Sequence, residues 1–185
     1  MTLAMLVGGA RSGKSALALR IAADAGAPVT FIATAEALDE EMALRVAEHR
    51  AGRPTGWATV EEPLELGAAL GAVPAGGTAV VDCLTMWVAN MVGVGETDGA
   101  VLLAAEQVAA LASERIGLVV TVSNEVGWGI VPADPATRRY RDLLGRVNAT
   151  FAAAAERPLL VVAGCVLLLQ RPGGTAAAVP GADPR

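Results

Sequence analysis

Gly8-Gly9-Ala10-Arg11-Ser12-Gly13-Lys14-Ser15 fits the spacing GxxxxGK followed by Ser or Thr. It stands between a short apolar run, Thr2 to Val7, and an Ala/Leu-rich segment, Ser15 to Ala25, in which Leu17, Leu19 and Ile21 mark a helix. Strand, glycine loop, helix is the context this pattern needs to hold a phosphate. Glycines let the backbone curl so that successive N–H groups converge on phosphate oxygens, and the helix N-terminus adds the positive end of its dipole. Lys14 then reaches the β and γ phosphates, and Ser15 supplies a hydroxyl to magnesium.

Reading outward, strands and helices alternate. Val29 to Ala33 is a second apolar run. From Leu38 to Arg50, Leu38, Met42 and Val46 fall at i, i+4 and i+8, with Asp39, Glu40 and Glu41 in the first turn, where the helix dipole favours negative charge. Trp57 to Val60 predicts a short edge strand. Pro63 to Leu70 predicts a helix opened by Pro63, and Thr78 to Asp82 a buried strand. A helix through Met91, a longer one from Gly99 to Arg115, a strand from Leu118 to Ser123, and a helix from Asp134 to Ala155 follow. Leu159 to Ala163 and Val166 to Leu169 close the sheet. This alternation implies an α/β fold with a mostly parallel sheet covered on both faces. One domain over residues 1–170 is expected, with a disordered Gly/Pro/Ala tail from Arg171 to Arg185.

Composition narrows the function classes. Lys plus Arg is 14 and Asp plus Glu 19, a net charge of −5 without a large like-charge block, which argues against nucleic acid as a partner. The hydrophobic fraction of 54% includes 39 alanines, and the longest apolar run, Leu159 to Leu169, has 11 residues where a membrane span needs roughly 20. That run reads as buried strand. No basic region precedes an apolar stretch at the N-terminus, so a cytoplasmic location is expected. Cys83 and Cys165 lack the spacing of a disulfide framework or a zinc site.

Two further residues bear on chemistry. Asp82 ends a buried strand, the position from which phosphate-loop enzymes draw a second magnesium contact, although an Asp there also serves as a turn former or helix cap. His49 is the chain's sole histidine. Its spacing from Met42 and Val46 suits a partly buried or capping residue. With Arg50 and Arg53 beside it, the same residue has the make-up of a neutral imidazole nucleophile whose phosphate target is held by guanidinium groups. No N-K-x-D sequence is present for reading guanine as signalling GTPases do.

At this point the sequence resembles a known family, the bifunctional adenosylcobinamide kinase and adenosylcobinamide-phosphate guanylyltransferase of cobalamin biosynthesis. GGARSGKS at 8–15, FIATAEALDEEM at 31–42, HRAGRP at 49–54, VDCLTMWVAN at 81–90 and SNEVGWGIVPADPATRRYRDLLGRVN at 123–148 carry the resemblance. It implies a P-loop NTPase fold of the RecA-like class, a homotrimer, and two reactions. One phosphorylates the aminopropanol hydroxyl of adenosylcobinamide. The other moves GMP from GTP onto adenosylcobinamide-phosphate through a guanylyl-histidine. The implied nucleophile is His49. The implied nucleotide contacts are Gly8, Gly9, Ala10, Arg11, Ser12, Gly13, Lys14, Ser15, Thr34, Ala35, Arg50, Ala51, Gly52, Arg53, Glu61 and Asp82, with Ser15 and Asp82 on magnesium; GTP, ATP and Mg2+ are the expected cofactors. Relatives can carry a second histidine where this chain has Glu48.

Two rivals stay open at this level: a plain small-molecule kinase without a covalent step, and a nucleotide-gated ATPase acting through a protein partner. The cluster Arg138, Arg139, Arg141 and Arg146 suits phosphate binding, ion pairs between subunits or a solvated helix face.

Overall fold

A computed structural model describes residues 2–36, 44, 50 and 52–170. Leu3–Gly8 forms β1, buried along its whole length, as an uninterrupted apolar run in a parallel sheet requires. After it come α1 (Lys14–Asp24), β2 (Val29–Ala33), β3 (Ala58–Glu61), α2 (Leu66–Gly71), β4 (Thr78–Asp82) and α3 (Leu84–Gly93). The chain continues through α4 (Asp98–Glu114), β5 (Val119–Asn124), α5 (Pro135–Ala154), β6 (Arg157–Val162) and β7 (Cys165–Leu168). The strands make one sheet in the order β3-β2-β4-β5-β1-β6-β7. Its first six strands are parallel, and β7 returns antiparallel to β6.

Alternation along each strand splits the core into two layers. Leu3, Met5, Ile32, Val81 and Val119 pack with Leu84 and Trp87 of α3, Val101 and Ala105 of α4, and Leu143, Val147 and Phe151 of α5. Leu6, Phe31, Val80, Val120 and Val122 face the other way, onto Ala18 and Ala22 of α1. The expected two-sided α/β sheet is therefore present, with α1 on one face and α3 to α5 on the other.

Several expectations need correction. The buried stripe of α1 is Ala18 and Ala22, not Leu17, Leu19 and Ile21, which are half-buried. Small side chains let the helix sit close to the sheet while the larger ones wedge at its margins. Pro63 precedes α2 and does not open it; the Glu62 carboxylate accepts from the amides of Leu64 and Glu65, and the helix starts at Leu66. The run from Leu159 to Leu169 holds the two strands expected at 159–163 and 166–169, joined as a hairpin, and is not buried throughout. Ala163 and Gly164 both take positive φ, as a tight two-residue hairpin turn demands. The returning β7 is largely exposed. Of the helix expected over residues 38–50, Leu44 and Arg50 are described, and both are helical. The rest of that helix and the tail from residue 171 lie outside the described residues.

Parallel pairing delivers the C-terminal ends of β1, β2, β3, β4 and β5 to one edge of the sheet. Those ends are Gly8, Ala33, Glu61, Asp82 and Asn124. Around β1 the chain order changes direction, with β5 on one side and β6 on the other. Ligands of open α/β sheets bind outside the strand ends at such a switch point.

Candidate nucleotide site

Gly8 leaves the sheet in a spot where a Cβ would run into the carbonyl oxygen of Val161 on β6, so a residue with a side chain cannot start the loop there. Gly13, at φ 99°, is the N-cap of α1 and offers no side chain to its first turn. The leading N–H groups of that helix are thus left for an anion. Lys14 is only 6% exposed, and its Nζ donates to the Gly9 carbonyl at 2.7 Å and to Ser12 Oγ at 3.4 Å. Ser15 follows it, half-buried in the first helical turn. Gly9, Ala10 and Arg11 are exposed over the loop. The β6–β7 turn braces the loop from behind, where the Gly164 amide donates to the Ser12 carbonyl at 2.9 Å.

The neighbouring strand ends are joined by side-chain clamps. Thr34 Oγ1 accepts from the Cys83 amide at 2.8 Å and donates to the Cys83 carbonyl at 2.6 Å, tying the end of β2 to the start of α3. Asn90 Nδ2 donates to the Thr34 and Pro63 carbonyls, at 2.8 and 3.2 Å. Ala35 continues from this clamp, half-buried. Arg53 lies over the Phe31 ring, 3.9 Å from its centroid, and reaches Thr59 Oγ1 at 3.4 Å. Its Nε is buried with no partner among the described residues, a donor available to an anion. Arg50 is ion-paired with Glu61 at the end of β3.

Charge shows which segments converge. Burial lowers the pKa of Lys14, and Asp82 pulls it back up. Burial and then the nearby Arg50 lower that of Arg53, and Asp82 again opposes the shift. One carboxylate at the end of β4 therefore acts on both the phosphate-loop lysine and the arginine of the 49–54 segment. Burial, with a contribution from Asp82, pushes the Cys83 thiol up to about 11, so it is neutral at pH 7.

The residues expected from the sequence thus gather at one edge: Gly8 to Ser15, Thr34, Ala35, Arg50, Arg53, Glu61 and Asp82. Gly52 is exposed beside Arg53. His49 and Ala51 lie outside the described residues. The arginine cluster on α5 is largely engaged within the chain. Arg138 donates to the Pro132 and Ala133 carbonyls, Arg139 pairs with Asp98, and Arg141 pairs with Asp142. Among the described residues no group of three or more His, Cys, Asp or Glu side chains could hold a metal. One carboxylate and one serine hydroxyl nonetheless suit Mg2+, which keeps several waters and leans on substrate phosphates.

Sequence reasoning gave no role to Thr85, Asn90, Ser123, Asn124, Tyr140 and Asn148, which carry a buried polar lattice under the site. Ser123 Oγ donates to Asn148 Oδ1 at 2.6 Å, Asn148 Nδ2 to the Asn124 carbonyl at 3.1 Å, and the Asn124 amide to Thr85 Oγ1 at 2.7 Å. Tyr140 Oη donates to the Thr85 carbonyl at 3.1 Å. The available signal was an isolated polar residue inside an apolar helix or strand, such as Thr85 or Asn90 in LTMWVANMVG.

Residues 4–169 match the family described as cobinamide kinase / cobinamide phosphate guanyltransferase. The bifunctional adenosylcobalamin biosynthesis protein CobP of Pseudomonas aeruginosa is 45% identical over 169 residues, covering 90% of this chain and 96% of that protein. The proteins named CobU of Salmonella typhimurium and Escherichia coli are 40% and 39% identical, each across 86% of this chain and 95% of the relative. A solved chain from a structural and biochemical analysis of a prototypical ATPase of the type III secretion system superposes with a TM-score of 0.52 at 11% identity. That match covers 86% of this chain and 50% of the other. At that identity the likeness speaks for the fold alone, a RecA-like P-loop NTPase sheet.

Proposed function

The chain belongs to the cobinamide kinase / cobinamide phosphate guanyltransferase family and is an enzyme of adenosylcobalamin biosynthesis, and from that premise we propose that it catalyses two successive transfers. In the first, the aminopropanol hydroxyl of adenosylcobinamide takes the γ-phosphoryl group of ATP or GTP. In the second, an imidazole nitrogen of His49 attacks the α-phosphorus of GTP and pyrophosphate leaves. The phosphate of adenosylcobinamide-phosphate then attacks the phosphorus of the guanylyl-histidine, giving adenosylcobinamide-GDP and returning neutral His49.

What supports this reading is that Arg53 stacks on Phe31 of β2, whose end Ala33 pairs with Asp82 on β4, while Asp82 opposes the lowered pKa of both Lys14 and Arg53. Lys14 and the opening amides of α1 hold the phosphates, and Ser15 and Asp82 would hold Mg2+, which when bound neutralises charge on the phosphate oxygens. Arg53, stacked on Phe31 with an Nε that has no partner among the described residues, is set to bind a phosphate oxygen. Arg50 is ion-paired with Glu61 at the exposed rim. Thr34 and Ala35 line the side toward β2. The working assembly is a homotrimer, and no nucleic acid partner enters.

The test is His49→Asn. Asn keeps approximate size and hydrogen-bonding capacity without a nitrogen that can form a phosphoramidate. Incubation with GTP should add GMP to the wild-type chain by intact mass, with the adduct labile in acid and stable in alkali. The Asn variant should form none and still phosphorylate adenosylcobinamide. An adduct that persists in the variant, or a wild-type adduct lost in alkali, would place the nucleophile elsewhere.

A further inference from the structure

The kinase step needs a group to take the proton of the attacking hydroxyl, and His49 is committed to the other reaction. Among the described residues the carboxylates at the sheet edge are few enough to sort. Asp82 is required for the metal. Glu61 is ion-paired with Arg50. Glu62 is turned back onto the amides of Leu64 and Glu65. Glu36 lies beyond β2, separated from β1 by β4 and β5. Glu125 is different. It follows directly on β5, the strand lying between β1 and β4, and its amide donates to the Gly8 carbonyl at 3.0 Å. The ammonium of Lys14 rests on the next carbonyl, Gly9, at 2.7 Å. The backbone of Glu125 therefore lies against the start of the phosphate loop, one carbonyl before the one that receives the Lys14 ammonium. The Glu125 carboxylate accepts from the Gly127 amide in its own loop, at 2.6 Å.

The loop that Glu125 opens points to the same substrate. Trp128 is 74% exposed and Ile130 97%, with Val126 and Val131 also open to solvent. Large apolar side chains flanking a phosphate loop suit an acceptor with extensive apolar surface more than they suit water.

From these observations we propose that Glu125 is the catalytic base of phosphoryl transfer, accepting the proton of the acceptor's hydroxyl. This inference rests on the kinase reading above. As the hydroxyl oxygen bonds to the γ-phosphorus, the bond from that phosphorus to the β–γ bridging oxygen breaks. The nucleoside diphosphate leaves with that oxygen, and the hydroxyl proton passes to a Glu125 carboxylate oxygen and from there to solvent. Guanylyl transfer, whose nucleophiles are a neutral imidazole and a phosphate, has no such proton to remove.

Glu125→Gln tests this, because the Gln side-chain oxygen still accepts from the Gly127 amide while the basic carboxylate is gone. The readouts are transfer of labelled γ-phosphate from ATP to adenosylcobinamide, the GTP-dependent GMP adduct, and thermal melting. The variant's kinase kcat should fall about 100-fold or more, with KM for ATP within about threefold. Adduct formation and melting should match the wild type. A kinase kcat within about threefold of wild type would overturn the assignment. So would a parallel loss of kinase and adduct, which would make Glu125 a loop-positioning residue for both reactions. A wild-type chain that forms the adduct and lacks kinase activity would overturn the kinase reading itself, and this inference with it.

Discussion

Lys14 is the chain's only lysine among 14 basic residues, and it is held where a cation costs most, 6% exposed beneath the loop. Burial lowers its pKa. The opposing pull of Cys83 requires a thiolate, and with that thiol pushed up to about 11 the charge available at pH 7 is Asp82. Asp82 therefore opposes the lowering that burial imposes on Lys14. Lys14→Ala removes the ammonium that both reactions need at the phosphates, so kinase and adduct-forming rates should each fall at least about 100-fold, the scale of losing one preorganised charge stabiliser. Stopped assays of the two reactions on one preparation check this, and rates within a few-fold of wild type would refute the role. The sequence made Lys14, Ser15 and Asp82 legible because their chemistry is tied to a fixed spacing and to strand ends. Glu125 was illegible: it is remote from the loop in sequence and reaches it only through the pairing of Gly8 with Asn124 across β1 and β5.

At the scale of elements, α5 is fastened to the sheet edge by Asn148, whose side chain accepts from Ser123 Oγ and donates to the Asn124 carbonyl. Burial pushes Tyr140 on the same helix up to about 12, so it stays a protonated donor to the Thr85 carbonyl. Asn148→Ala strands a buried hydroxyl and a carbonyl, and should cost about 1–3 kcal/mol of unfolding free energy in denaturant melts. Ser123→Ala removes one of the same bonds, so the double variant should lose less than the sum of the singles, by about 0.5–3 kcal/mol. Strict additivity would mean the two side chains do not share an interaction. Element type and order were readable because buried parallel strands give continuous apolar runs and the helices between them give a 3.6 period. Alanine obscured the rest. In α1 the closest packing falls on Ala18 and Ala22, while the periodic leucines lie at the margin. In the 159–169 run, Ala163 reads as the apolar end of a strand yet forms the turn with Gly164.

For the whole molecule, that hairpin raises the question of what covers β7. Among the described residues no strand pairs with its outer edge, and Val166 is 42% and Leu167 59% exposed, without the charged residues or proline that edge strands of monomers commonly carry. A second copy of the chain is the economical cover, in keeping with the homotrimer proposed above. Light scattering at micromolar concentration should then give a mass near three times the 18.7 kDa chain. Leu167→Lys sets an ammonium on that face and should shift the mass toward a single chain with the far-ultraviolet circular dichroism unchanged. The consequence reaches the site, because the Gly164 amide at the hairpin's tip holds the Ser12 carbonyl of the phosphate loop. Loosening the hairpin should weaken nucleotide binding along with assembly, and titration of a fluorescent GTP analogue against the variant measures that loss. A wild-type mass of one chain would leave β7 uncovered and remove the basis for both expectations. An unchanged mass in the Lys variant would move the interface to another face, and unchanged nucleotide affinity in a dissociated variant would show that the phosphate loop holds its shape without its neighbours.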